Sequence, residues 1–166
     1  MPDSERPWTW SCRRCAITSN IAEFLRASAA RHPDATAFIV GPSTYSWADV
    51  ERASREYAAG LIQHGLRAGE RIAFLLGNGY EFVVAYYASA RAGLVSVPLN
   101  PAYTAPEVAV MLAGSGARLL IADPSTIEVA RAATAGAPGC EVMSVDDADW
   151  AALGREPQTC TCRRAY

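Results

Sequence analysis

Apolar residues fall into two alternating kinds of segment along the chain, short continuous runs and longer stretches spaced at helical intervals. Val50, Ala53, Tyr57, Ala58, Leu61 and Ile62 form one stripe at helical spacing, which predicts an amphipathic helix that starts at Ser46. Ser46 and Asp49 supply a capping box for it, and Gly65 follows its last turn as a left-handed stop. An earlier helix is predicted from Asn20, a suitable N-cap with Glu23 as its return partner, to His32, where Pro33 ends it. Between these two helices, Ala37 to Val40 and Ser43 to Tyr45 read as the strands of a hairpin turning at Gly41-Pro42.

From residue 71 the pattern repeats in kind. The run Arg71–Leu76 precedes a helical stretch Tyr80–Arg91, and Leu94–Val97 precedes Ala105–Ser115. Leu119–Ala122 precedes Thr126–Ala135, and Glu141–Val145 closes the series. Strand starts lie about 22 to 25 residues apart, the length of a strand plus a crossover helix. The predicted fold class is therefore α/β: a parallel sheet with crossover helices, preceded by a helix and a short hairpin. Thr104, Pro106 and Glu107 form a strong helix start, with a hydroxyl cap, a proline in the first turn and a returning carboxylate. Residues 1–19 show no period and read as an irregular lead-in, residues 20–145 as the folded subdomain, and residues 146–166 as an irregular tail.

Composition narrows the chemistry. All fifteen cations among the 166 residues are Arg and none is Lys, which excludes a Walker loop, a Schiff base and lysine-assisted adenylation by these residues. The net charge of −2 gives no electrostatic grip on nucleic acid. The longest unbroken apolar run, Phe82 to Ala88, is far short of the roughly 18 residues of a membrane-spanning helix. Cys12, Cys15, Cys140, Cys160 and Cys162 are an odd set without a secretory leader, so reduced thiols and a cytoplasmic location are expected. The residues after Arg13-Arg14 are too polar for an export signal.

Several motifs invite chemistry and are outweighed by plainer readings. Gly77-Asn-Gly-Tyr-Glu-Phe82 lies between a strand and a helix, where a dinucleotide-binding turn would lie. Phe82 is too bulky for its third glycine position, and Leu94–Val97 is followed by Pro-Leu-Asn rather than an acid for the ribose, so an ordinary turn is expected. Cys12 and Cys15 with Cys160 and Cys162 could offer four thiolates to zinc, but the pairs are poorly spaced and stand in tails without predicted structure. His32 and His64 each end a predicted helix, where an imidazole can meet free carbonyls. Tyr86 and Tyr87 read as core residues rather than a stacking platform for bases.

Taken in order, the segments resemble a known family. Asn20–Leu25, His32-Pro-Asp-Ala, Thr44-Tyr-Ser, Ala58-Ala-Gly-Leu, the run from Gly65 to Ala73 and Gly77–Phe82 resemble the opening of acyl-CoA synthetases of the adenylate-forming, AMP-binding superfamily. Arg91–Pro101, Tyr103-Thr, Glu107 and Ser115–Asp123 continue the same order over about residues 20–145. The resemblance implies descent from enzymes that use ATP and Mg²⁺ to turn a carboxylic acid into an acyl-adenylate and pass the acyl group to coenzyme A. That family's glycine-rich phosphate loop with its lysine, its Tyr-Gly-x-Thr-Glu segment, its ribose-binding aspartate and its C-terminal lysine have no match here. No catalytic, cofactor-binding or metal-ligating residue is therefore transferred, and no cofactor is expected on this fragment. The expectation is a truncated synthetase, inactive alone and with an apolar face left exposed, whose partner is the missing remainder or a full-length homologue. The alternative is a non-enzymatic interaction module that docks on such an enzyme.

Overall fold

The computed structural model describes residues 20–155. The chain opens with α1 (Ile21–Arg31), the hairpin strands β1 (Thr36–Val40) and β2 (Ser43–Ser46), and α2 (Trp47–Gln63). It continues as β3 (Arg71–Leu75), α3 (Tyr80–Arg91), β4 (Val95–Pro98), α4 (Ala105–Ser115), β5 (Ala117–Ala122), α5 (Ile127–Thr134), β6 (Glu141–Ser144) and α6 (Ala148–Leu153). β1 and β2 pair antiparallel through Gly41 at φ 56°, and β3 to β6 form a separate parallel sheet in the order β4-β3-β5-β6.

Alternation along the strands divides the core. Ile72 and Phe74 of β3 point with Leu119 and Ile121 of β5 into a layer filled by Leu61 of α2 and Ala85 and Ala88 of α3. Ala73 and Leu75 point the other way with Leu120 and Ala122, against Val108 and Leu112 of α4 and Ala130 and Ala133 of α5. Strands buried on both faces read as continuous apolar runs, as these do. The expectation of an apolar sheet face left open is corrected: helices cover both faces. The exposed large apolar side chains lie instead on helices, on the hairpin and on the β4 edge, at Ile21, Phe24, Ile39, Ile62, Val95, Val110 and Met111.

Local chemistry sets the helix ends. Ser46 Oγ accepts the Asp49 amide at 3.1 Å while Asp49 Oδ2 accepts the Ser46 amide at 3.1 Å, and Thr104 and Glu107 form the same reciprocal box at α4. Asn20 Oδ1 accepts the Ala22 amide at 3.0 Å, but its expected partner Glu23 pairs with Arg26 instead. Gly116 ends α4 at φ 61°, and Arg71 reaches across from β3 to donate to the carbonyls of Ser115 and Gly116, each at 2.7 Å.

Residues 146–166, expected to be irregular, contain a correction. Asp147 precedes the short helix α6, whose Trp150 and Leu153 are buried in the α2–α3 layer. The Trp150 and Tyr57 rings lie 4.4 Å apart. A Cβ on Gly60 would stand 2.4 Å from the Leu153 carbonyl oxygen, and one on Gly154 would stand 2.7 Å from the Tyr57 ring. Two glycines thus let α6 and its trailing turn lie directly against α2.

Candidate functional site

The strand order reverses between β3 and β5. β3 leads to α3 on one face of the sheet and β5 to α5 on the other, so the loops after the two strands separate and leave a crevice at the carboxyl end. Its volume is about 180 Å³, and Gly77, Gly79, Glu81, Asp123 and Val145 are among the residues that line it. In an open α/β sheet this is where a ligand is expected.

The protein's own carboxylate already occupies one amide of the glycine turn and the donors of the loop after β5. Asp123 Oδ2 accepts the Gly77 amide at 2.9 Å. Oδ1 accepts the Ser125 amide at 2.9 Å, the Ser125 hydroxyl at 2.6 Å and the Thr126 amide at 3.1 Å. Burial pushes the Asp123 carboxyl up, but the hydrogen bonds from Ser125, Gly77 and Thr126 outweigh it and hold the pKa below the ordinary value. The buried Thr126 hydroxyl donates to the Leu75 carbonyl at 2.6 Å and accepts the Asp123 amide at 3.1 Å, which joins the ends of β3 and β5 a second time.

ATP and Mg²⁺ can be tested against this donor set. A triphosphate needs free amides and cations. Here the first amide of the glycine turn is held by Asp123, and Glu81 adds a second carboxylate to the wall. The crevice does not fit a nucleotide's phosphates, and Gly77-Asn-Gly serves as the turn into α3.

The remaining candidates resolve individually. His64 ends α2, and its Nε2 lies 2.9 Å from Glu141 Oε2 at the start of β6, a partner 77 residues away that helix-end reasoning did not supply. His32 caps α1 through its backbone amide, which donates to Ser28. Tyr86 stacks on Phe82 with centroids 6.1 Å apart beside the α2–α3 layer, and burial raises the half-buried Tyr87 phenol. Tyr80 stacks on Tyr45 at 3.8 Å, fastening the hairpin to α3, and burial pushes its pKa up to about 12. Cys140 is a free thiol, raised first by burial and then by Glu141. Cys12, Cys15, Cys160 and Cys162 lie outside the described residues, among which no cluster of His, Cys, Asp or Glu could hold a metal ion. No helix among the described residues is long and apolar enough to cross a membrane.

A second hollow of about 480 Å³ lies between α1 and α2. Arg26, Arg52 and Arg55 share its wall with Asp49 and Glu51, and Arg26 and Arg52 are paired with Glu23 and Asp49. These are surface ion pairs of the two helices.

The doubly covered parallel sheet, with its crevice at the switch point, defines an α/β module of the kind that opens adenylate-forming enzymes. Residues 25–164 match the AMP-binding enzyme family, and the chain belongs to that family. It is similar to 4-coumarate–CoA ligase 5 of Oryza sativa subsp. japonica, 42% identical over 84 residues, which is 51% of this chain and 16% of the ligase. It is 36% identical over 119 residues to a feruloyl-CoA synthase of an Amycolatopsis species, covering 69% of this chain and 24% of the synthase. The fold superimposes on a solved fatty acyl CoA synthetase of Mycobacterium tuberculosis with a TM-score of 0.75 at 27% identity, covering 85% of this chain and 30% of that one. The chain thus spans between a sixth and a quarter of the length of these two curated relatives.

Proposed function

We propose that this chain is the opening structural module of an ATP-dependent acid–CoA ligase and forms no acyl-adenylate by itself. The Asp123 latch carries the reading: the one crevice placed where a sheet of this topology takes ligands is closed on itself by a carboxylate bonded to the Gly77 amide. The absence of lysine from the 166 residues supports it, because the matched family's phosphate chemistry draws on preorganised cations. What the module offers instead is a sheet covered on both faces and pinned at its carboxyl end. ATP, Mg²⁺ and coenzyme A belong in this reading to the ligase as a whole. A cytoplasmic location is part of the proposal, supported by the free Cys140 thiol.

The test is pyrophosphate release by the purified chain with ATP, Mg²⁺, coenzyme A and a panel of 4-coumarate, ferulate and a long-chain fatty acid. Release at the no-acid background is expected. Acid-dependent turnover that survives repurification of the chain overturns the proposal.

A further inference from the structure

α4 differs from α2 and α5 in what it turns to water. The exposed side of α2 carries Arg52 and that of α5 carries Glu128 and Arg131, as expected of helices that face water. The exposed positions of α4 are Pro106, Glu107, Val110, Met111, Ala113 and Gly114. Glu107 is engaged in the cap with Thr104, so the rest of the outer face has no charge. Val110 is 68% and Met111 44% exposed, while Val108 and Leu112 fill the core beneath. A helix apolar on all sides belongs inside a larger structure.

The size of the face selects among occupants. A helix from Ala105 to Ser115 offers roughly 16 Å by 10 Å, about 160 Å². A free partner or a second copy needs about 800 Å² per side. A polypeptide tethered to the module has no such requirement, because its effective concentration replaces area. The matched relatives are four to six times as long as the segment they share with this chain, so polypeptide of that kind exists in the family.

We propose that the outer face of α4, centred on Val110 and Met111, is the seat of the remainder of the ligase polypeptide, which covers it in the assembled enzyme. The inference rests on the reading of the chain as an opening module and extends it to a particular surface.

Met111 is its own probe, since peroxide oxidises accessible methionine. The full chain is compared with a fusion that continues into the part of the Amycolatopsis feruloyl-CoA synthase beyond its matched segment. Peptide mass spectrometry follows Met111, with Met143, 2% exposed, as the buried reference. Met111 should oxidise freely in the chain alone and at least about tenfold more slowly in the fusion. Equal rates in a fusion that melts cooperatively overturn the proposal. If the fusion does not fold, Ala105–Ser115 is grafted into the corresponding helix of the feruloyl-CoA synthase, where an unprotected Met111 has the same meaning. Two measurements on the chain alone complete the test. Sedimentation should show a monomer, and a dimer that protects Met111 assigns the face to a second copy and overturns the proposal. Val110→Glu with Met111→Glu should leave the melting temperature within about 2 °C, and a larger fall means the face is already packed within the chain. Pyrophosphate release by the chain alone defeats the opening-module reading without touching the Met111 rates, so the two failures are distinguishable.

Discussion

Gly77 and Asp123 stand 46 positions apart and meet through a 2.9 Å hydrogen bond that ties the end of β3 to the end of β5. Asp123→Ala removes an acceptor from the Gly77, Ser125 and Thr126 amides together. A cost of about 1–3 kcal/mol is expected, seen as a fall of roughly 3–10 °C in a circular-dichroism melt. Asp123→Asn retains one acceptor oxygen and should lose less. An unchanged melt for the alanine variant would show that the latch adds nothing to stability.

The carboxylates give a pH profile with a definite sign. Asp49 is held low by its hydrogen bonds with Ser46, Glu107 by those with Thr104, and Asp123 by donors that outweigh its burial. A carboxyl whose folded pKa is depressed contributes stability that is complete above the unfolded pKa of about 4 and is lost as pH falls through the folded value. Urea midpoints should stay level across the neutral range and decline below about pH 4. Asp49→Asn and Asp123→Asn should each flatten part of that decline, and a variant with the parent's acid slope refutes its share.

Gly60→Ala introduces a Cβ where the Leu153 carbonyl oxygen stands at 2.4 Å. Backbone cannot yield as a flexible side chain does, so α6 should be pushed from α2 and Trp150 should lose its contact with Tyr57. Hydrogen exchange should report faster opening at the Ala151 amide, which bonds to Asp147, and little change in α3. Uniform protection in both helices would refute the notch.

Arg91 couples α3 to α2 by pairing with Glu51 and donating from Nε to Ser54 Oγ at 3.0 Å. Both charged side chains are largely buried, at 16% and 22% exposure. A double-mutant cycle with Arg91→Met and Glu51→Gln should return a coupling of about 1–2 kcal/mol, above the value of a surface pair. Additive losses would reduce the contact to packing.

Much of this architecture can be read from the chain because its local and tertiary preferences agree. The box at Thr104-Pro106-Glu107, the stop at Gly65 and the apolar run of β3 each point to the element that forms. The strand order is another matter. It places β5 rather than β4 on the crevice side of β3, and without it Gly77 and Asp123 are merely a turn and a strand end. One local signal was present: Asp-Pro-Ser-Thr after a buried strand is the pattern of a side chain that bonds amides two and three residues on. α6 is hidden for a related reason. Ala-Asp-Trp-Ala-Ala-Leu is too short to show a period, and its place is set by Gly60, some ninety residues earlier. The His64–Glu141 contact is likewise made by the register of β6 and is invisible to helix-end rules.

Arg71 has a consequence for how this module joins other polypeptide. Its planar fork grips two successive carbonyls at the close of α4, a task for which a single ammonium group is poorly shaped. Gly116 stands at positive φ with the guanidinium 2.5 Å from where a Cβ would be, so a side chain there would strain the backbone and push the fork aside. The C-terminal end of α4 is therefore fastened to β3 before anything lies along the helix, and a chain settling there would meet backbone already in place, which leaves mainly side-chain ordering to be met on the module's side.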